Sequence, residues 1–180
     1  MTTLPAISTV PSLDAERRAQ ILDTLFERCA QLHTLSVSLL REREFASYDQ
    51  LIAGVGAQLT ELYNSPLESD TKWLEAILVA HPRLGENKVE SEQSRREQAQ
   101  LNQGGAGGTE EADRLAELNR AYERKFPGLR YLVFVNGRSR PTIMEDMQRR
   151  IDRNDLAQEK VDGIKAMCDI ASDRAKKLGG

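Results

Sequence analysis

One of the chain's two histidines, His81, stands between the apolar run Leu74, Ile77, Leu78 and the proline Pro82. Proline disfavours the α conformation in the residue before it, so His81 is expected at the C-terminal edge of a helix, its ring set by a rigid turn. An imidazole near its ordinary pKa gives or takes a proton at physiological pH. The other histidine, His33, sits among apolar residues with no partner pattern and reads as structural. Ser94, Glu97 and Gln98 fall at i, i+3 and i+4, so on a helix they share one face. Glu92, Arg95 and Arg96 already supply a solvated face, and a second polar face turned inward fits a small ligand. A carboxyl desolvated there would have a raised pKa and could protonate a carbanion, while the hydroxyl and the amide read polar edges. Arg83, Arg138 and Arg140 flank the same segments, and the guanidinium fork matches a carboxylate. Each feature has a plainer reading: a histidine at a helix end is commonly a cap, a polar helix face is commonly solvated, and exposed arginines are common.

The elements that must position these residues read as helices. Residues 1–12 form the expected flexible, extended tail, with Pro5 and Pro11, and Ser12 is the expected cap of a first helix carrying Ile21, Leu22, Leu25, Phe26, Cys29 and Leu32. Residues 33–40 fit a turn or a short helix. A clear helix follows from Ser47 to Tyr63, despite Gly54 and Gly56, and stops at Asn64-Ser65-Pro66. A short helix with Trp73, Leu74, Ile77 and Leu78 delivers the chain to His81. Ser91 caps a charged helix reaching about Leu101, and Thr109 caps the next, whose stripe is Leu115, Leu118, Tyr122 and Phe126. Between them Gly104-Gly105-Ala106-Gly107-Gly108 lacks the Lys-Ser/Thr and the glycine spacing of a phosphate cradle and reads as a linker. Tyr131 to Val135 has strand propensity, but a lone strand has no sheet to join, so a buried extended connection or the start of the next helix is expected. Two more helices carry Ile143, Met144, Met147 and Ile151, then Val161, Ile164, Cys168 and Ala171. The fold class is all-α, a single-domain bundle of about seven or eight helices spanning 13–178.

With 180 residues the chain can bury one sizeable core without metal or disulfide staples. A net charge of −3 with acids and bases interspersed lacks the field by which nucleic-acid binders collect phosphates. Cys29 and Cys168 lie in apolar helix faces and suit buried thiols better than a disulfide framework. No apolar run is long enough to cross a bilayer, and Lys176-Lys177-Leu178-Gly179-Gly180 does not present a peroxisomal Ser-Lys-Leu-type signal, so a cytoplasmic location is the default expectation and a peroxisomal one stays open.

Taken together, His-Pro-Arg-Leu-Gly at 81–85, Ser-x-x-Glu-Gln at 94–98, Leu118-Asn119 with Tyr122, Lys125-Phe126 and Gly137-Arg138-Ser139 resemble the 2-oxo-4-hydroxy-4-carboxy-5-ureidoimidazoline (OHCU) decarboxylase family over residues 13–152. Phe-Pro-Gly-Leu-Arg-Tyr and Val-Asn-Gly-Arg look like its fungal branch. The resemblance implies an all-α homodimer that uses no cofactor and converts OHCU to (S)-allantoin and CO2 after urate oxidase and hydroxyisourate hydrolase. Carried across, His81 and Glu97 would be catalytic. Pro82, Leu84, Ser94, Gln98, Asn136 and Arg138 would bind substrate, with Gln98 sharing in proton delivery.

One residue departs from the family pattern. Many members have an arginine at the end of the apolar run, where this chain has Asn136, with Arg138 and Arg140 as nearby substitutes. An asparagine does not pair bidentately with a carboxylate. Two alternatives therefore stand beside the decarboxylase: a helical binding or interaction protein on the same fold, and a lyase acting on a related ureido or imidazoline acid.

Overall fold

The computed structural model describes residues 3–86, 91–103 and 109–180, so the Gly104–Gly108 linker and residues 87–90 lie outside the described residues. Nine helices are described: α1 (Ala15–Phe26), α2 (Ala30–Ser36), α3 (Leu39–Glu42), α4 (Tyr48–Asn64), α5 (Glu68–Leu78), α6 (Glu92–Gln103), α7 (Thr109–Lys125), α8 (Arg140–Arg153) and α9 (Leu156–Lys177). Only α3 is a single turn, and there is no strand among the described residues, as the all-α reading expects.

Short polar side chains start most of these helices by accepting backbone N–H groups that have no intrahelical partner. Ser47 accepts from Gln50 at 3.2 Å, Ser91 from Ser94 at 3.2 Å, Ser139 from Thr142 at 3.4 Å and Asp155 from Gln158 at 3.0 Å. For α1 the cap is Asp14, which accepts from Arg17 at 2.8 Å, and not Ser12. Ser12 instead ends a short 3-10 helix, Ile7–Ser12, in place of the expected extended tail. Val10 anchors that helix in the core, and Leu4 and Pro5 are tied down by Leu178 O and the Tyr48 hydroxyl.

The first helix is shorter than its apolar pattern. It stops at Phe26, and Cys29 and Leu32 belong to α2 and the turn before it. Residues 33–40, left open between turn and helix, complete α2 and enter α3.

Helix α9 is the spine, packing along α4 and α1 and touching α5. Its close approach to α4 explains why a glycine is tolerated mid-helix: a Cβ on Gly56 would lie 2.9 Å from Cys168 Sγ. The inward stripe of α9 is Gly163, Ile164, Met167, Ile170, Ala171, Arg174 and Ala175, whereas Val161 is exposed and Cys168 half-buried. Met144 and Met147 of α8 face the core.

The β-prone run is the expected buried extended connection. With no neighbouring strand, its carbonyls need side-chain donors. Arg150 Nη1 donates to Leu132 O at 3.1 Å, and Arg138 donates to Phe134 O and Val135 O. Arg150 is held in turn by Glu159, whose side chain is 0% exposed and also accepts from Arg153 and the Tyr122 hydroxyl. The Arg150 guanidinium lies over the Tyr131 ring at 4.7 Å, and the Tyr131 hydroxyl donates to Asp146. Glu159→Gln would leave Arg150 a buried, under-compensated cation. It is expected to lower unfolding stability by about 3 to 5 kcal/mol in urea titrations.

Candidate active site

His81 follows the end of α5 by a one-turn step rather than lying on the helix itself. Val79 N and Ala80 N bond back to Glu75 O and Ile77 O, and Arg130 Nη1 donates to Val79 O at 2.9 Å and to His81 O at 3.3 Å. The backbone of His81 is thus fixed from the extended connection. After Pro82 the chain turns through Gly85, whose φ of +79° suits glycine. Two amides clamp this turn. Gln98 on α6 accepts from Gly85 N and donates to Arg83 O, each at 3.1 Å, and Asn119 on α7 donates to Leu84 O at 3.0 Å.

These elements enclose a cavity of about 250 Å³, smaller than typical drug-sized pockets and suited to a single small ring. All eight residues read from sequence line it: His81, Pro82, Leu84, Ser94, Glu97, Gln98, Asn136 and Arg138. Apolar wall comes from Leu101, Leu132–Val135 and Ile170, and α9 adds Asp173 and Lys177, an ion pair at 2.6 Å. Tyr131 also lines the space, although burial and its bond to Asp146 hold its phenol pKa well above the usual value.

His81 is 4% exposed, and neither ring nitrogen has a partner among the described residues. Burial, assisted by the positive charge of Arg174, pushes its pKa down to about 3. The ring is therefore neutral at physiological pH, with one N–H and one lone pair. An unpaired buried polar group is costly, and in a cavity wall it points to a ligand that completes it.

Behind the cavity lies a guanidinium missed in the sequence reading. Arg174 is 2% exposed and is bonded to two carboxylates. It grips Glu97 through Nε–Oε1 at 2.7 Å and Nη2–Oε2 at 2.9 Å, and reaches Glu27 Oε1 at 2.8 Å and Ser94 Oγ at 2.9 Å. Burial works against its charge, but the bonds to Glu97 and Glu27 more than offset this and raise its pKa. Glu97, read as a desolvated acid, is instead the half-buried partner of this cation. Ser94 donates its hydroxyl proton to Glu27, and Gln98 spends an amide N–H and a lone pair on the 83–85 turn.

The arginines divide. Arg138 lines the cavity while bracing the 134–135 carbonyls, whereas Arg83 is paired with Glu123 and Glu86 away from it. Asn136 stands exposed at the cavity rim with a φ of +47°, a left-handed turn position that asparagine tolerates better than most residues. Arg174 could have been found: it falls on the apolar stripe Ile164, Met167, Ile170, Ala171, where a charge demands an acid. Glu27, directly after buried Phe26, carries the matching signal.

The family model for OHCU decarboxylase matches residues 11–176. This chain belongs to the OHCU decarboxylase family. A search of curated proteins finds no match. Membership gives the coarse function as decarboxylase-type lyase chemistry in purine and urate breakdown. Among the described residues of this OHCU decarboxylase family member, no helix is long and apolar enough to cross a membrane.

The neutral state of His81 has a thermodynamic consequence. Its folded pKa, about 3, lies below the unfolded value near 6.5, so between these values the unfolded chain binds more protons. The stability associated with neutral His81 is complete above pH 6.5 and lost as pH falls towards 3. In chemical denaturation at stepped pH, His81→Gln is expected to remove this contribution and flatten the acid slope.

Proposed function

We propose that this protein is a cofactor-independent carboxy-lyase that converts OHCU to (S)-allantoin and CO2. The observation that carries the reading is the neutral, buried His81, its ring nitrogens uncommitted, in a ring-sized cavity beside a Glu97 oriented by Arg174. Family membership supports OHCU as the substrate.

Loss of CO2 leaves an electron pair that the substrate's own carbonyl- and imine-bearing ring can spread, so orientation and protonation are the tasks left to the protein. The substrate ring lies against the Leu132–Val135 wall, and its carboxylate is directed to the Arg138 side of the cavity. His81 gives its N–H to the developing charge. Being neutral, it acts as a relay, accepting the proton of the substrate's 4-hydroxyl at one nitrogen as it releases its N–H proton to the ring carbon from the other, so that the hydroxyl becomes the product carbonyl. Glu97, held by Arg174, accepts a hydrogen bond from a substrate N–H or O–H and fixes which ring face meets the proton. That choice sets the handedness of the product.

The test generates OHCU from urate with the two upstream enzymes and follows optically active allantoin by circular dichroism. Rapid (S)-allantoin formation above the spontaneous racemic decay is the expected result. Decay unchanged by the folded protein would refute the assignment. His81→Asn is expected to keep its far-ultraviolet helical spectrum and lose about 100-fold or more in kcat; turnover like wild type would remove His81 from the mechanism.

A further inference from the structure

The local pattern of α1 does not call for a carboxylate at Glu27; the demand comes from Arg174, remote in sequence. The apolar pattern of α1 continues past it, yet the helix stops at Phe26 and Glu27 takes φ +73° and ψ 151°. That backbone region is natural for glycine and sparsely used by other residues. A glutamate held there is over-determined by its surroundings, and its side-chain contacts show how. Its Oε1 accepts from Arg174 Nη2 at 2.8 Å and from the Ser94 hydroxyl. The break in α1 also turns carbonyls of its last turn towards the same cation, with Arg174 Nη1 at 3.4 Å from both Thr24 O and Leu25 O.

Glu27 does not line the cavity that holds His81, but both groups it bonds act on that cavity. Arg174 orients Glu97, and Ser94 is part of the wall. Ser94 has one proton, and it is given to Glu27. One lone pair takes the Arg174 N–H, so the capacity that remains to this cavity-lining hydroxyl is a lone pair. The hydroxyl can then meet a ligand only as an acceptor.

We propose that Glu27 is a positioning residue for the decarboxylation: it anchors the Arg174 guanidinium that orients Glu97, and it commits the Ser94 proton so that Ser94 selects an N–H or O–H of the substrate. This rests on the decarboxylase reading above. A substrate with ureido and ring N–H groups satisfies such an acceptor, whereas an analogue with an acceptor at that position does not.

Glu27→Gly separates backbone from carboxylate, because glycine accepts the left-handed conformation without strain while removing the anchor. In the OHCU assay, Glu27→Gly is expected to fold and to lose about 30- to 100-fold in kcat, the scale of a displaced catalytic group. Glu27→Gln, which keeps an acceptor and loses the charge, is expected to fall between this variant and wild type and serves as well if the glycine variant does not fold. A purely structural role would give losses that multiply with those of Glu97→Gln. Action through Glu97 predicts that adding Glu27→Gly to Glu97→Gln costs less than threefold more. An active wild type with wild-type-like turnover in both Glu27 variants, or fully multiplicative losses, overturns this proposal alone. An inactive wild type overturns the decarboxylase reading and this proposal with it.

Discussion

A single guanidinium, that of Arg174, sits where three parts of the chain meet: the end of α1, the inward face of α6 and the spine helix α9. A buried cation is tolerated only when paired and hydrogen-bonded. Here Glu27 and Glu97 supply the charge, and Ser94 with the α1 carbonyls supplies further acceptors. The interruption of α1, the tilt of Ser94 towards the interior and the orientation of Glu97 all follow from meeting that demand. The same positive charge helps keep His81 neutral, so the electrostatics of the cavity depend on a residue that does not line it.

The second buried cluster does a different job. Arg150, Glu159, Arg153 and the Tyr122 hydroxyl lie beyond the cavity wall, and their task is to let an extended segment exist with no strand beside it among the described residues. Arg130 and Arg138 extend the same solution to either end of that segment, one holding the His81 backbone and the other the turn at Asn136. Arginine suits this use because its fork reaches a carbonyl and a carboxylate together.

Much of this was legible from residue order. Helical periodicity placed the main elements because one face of each helix had to be apolar, and the spacing of Ser94, Glu97 and Gln98 announced an inward polar face. What those three residues do was not legible. Their partners, Glu27, Arg174 and the 83–85 turn, are remote in sequence or are backbone atoms, and no local pattern records a pairing between residues 27 and 174. For the same reason α1 reads as longer than it is: the apolar period runs on through Cys29 and Leu32, whereas the helix stops at Phe26, where Glu27 turns out of it to meet Arg174. The 3-10 helix at Ile7–Ser12 escaped because it is held by tertiary packing, through Val10 in the core and its contact with α3, which no local pattern records.

The span of the Arg174 cluster also bears on how the protein is made. Synthesis proceeds from the N-terminus, and a domain folds as a unit. Until α9 leaves the ribosome, Glu27 and Glu97 have no cation between them, and Glu27 has no reason to hold its left-handed backbone. A nascent chain without α9 therefore carries His81, Ser94 and Glu97 but lacks the cation that holds Glu97 and Glu27, so completion of the pocket coincides with the docking of α9.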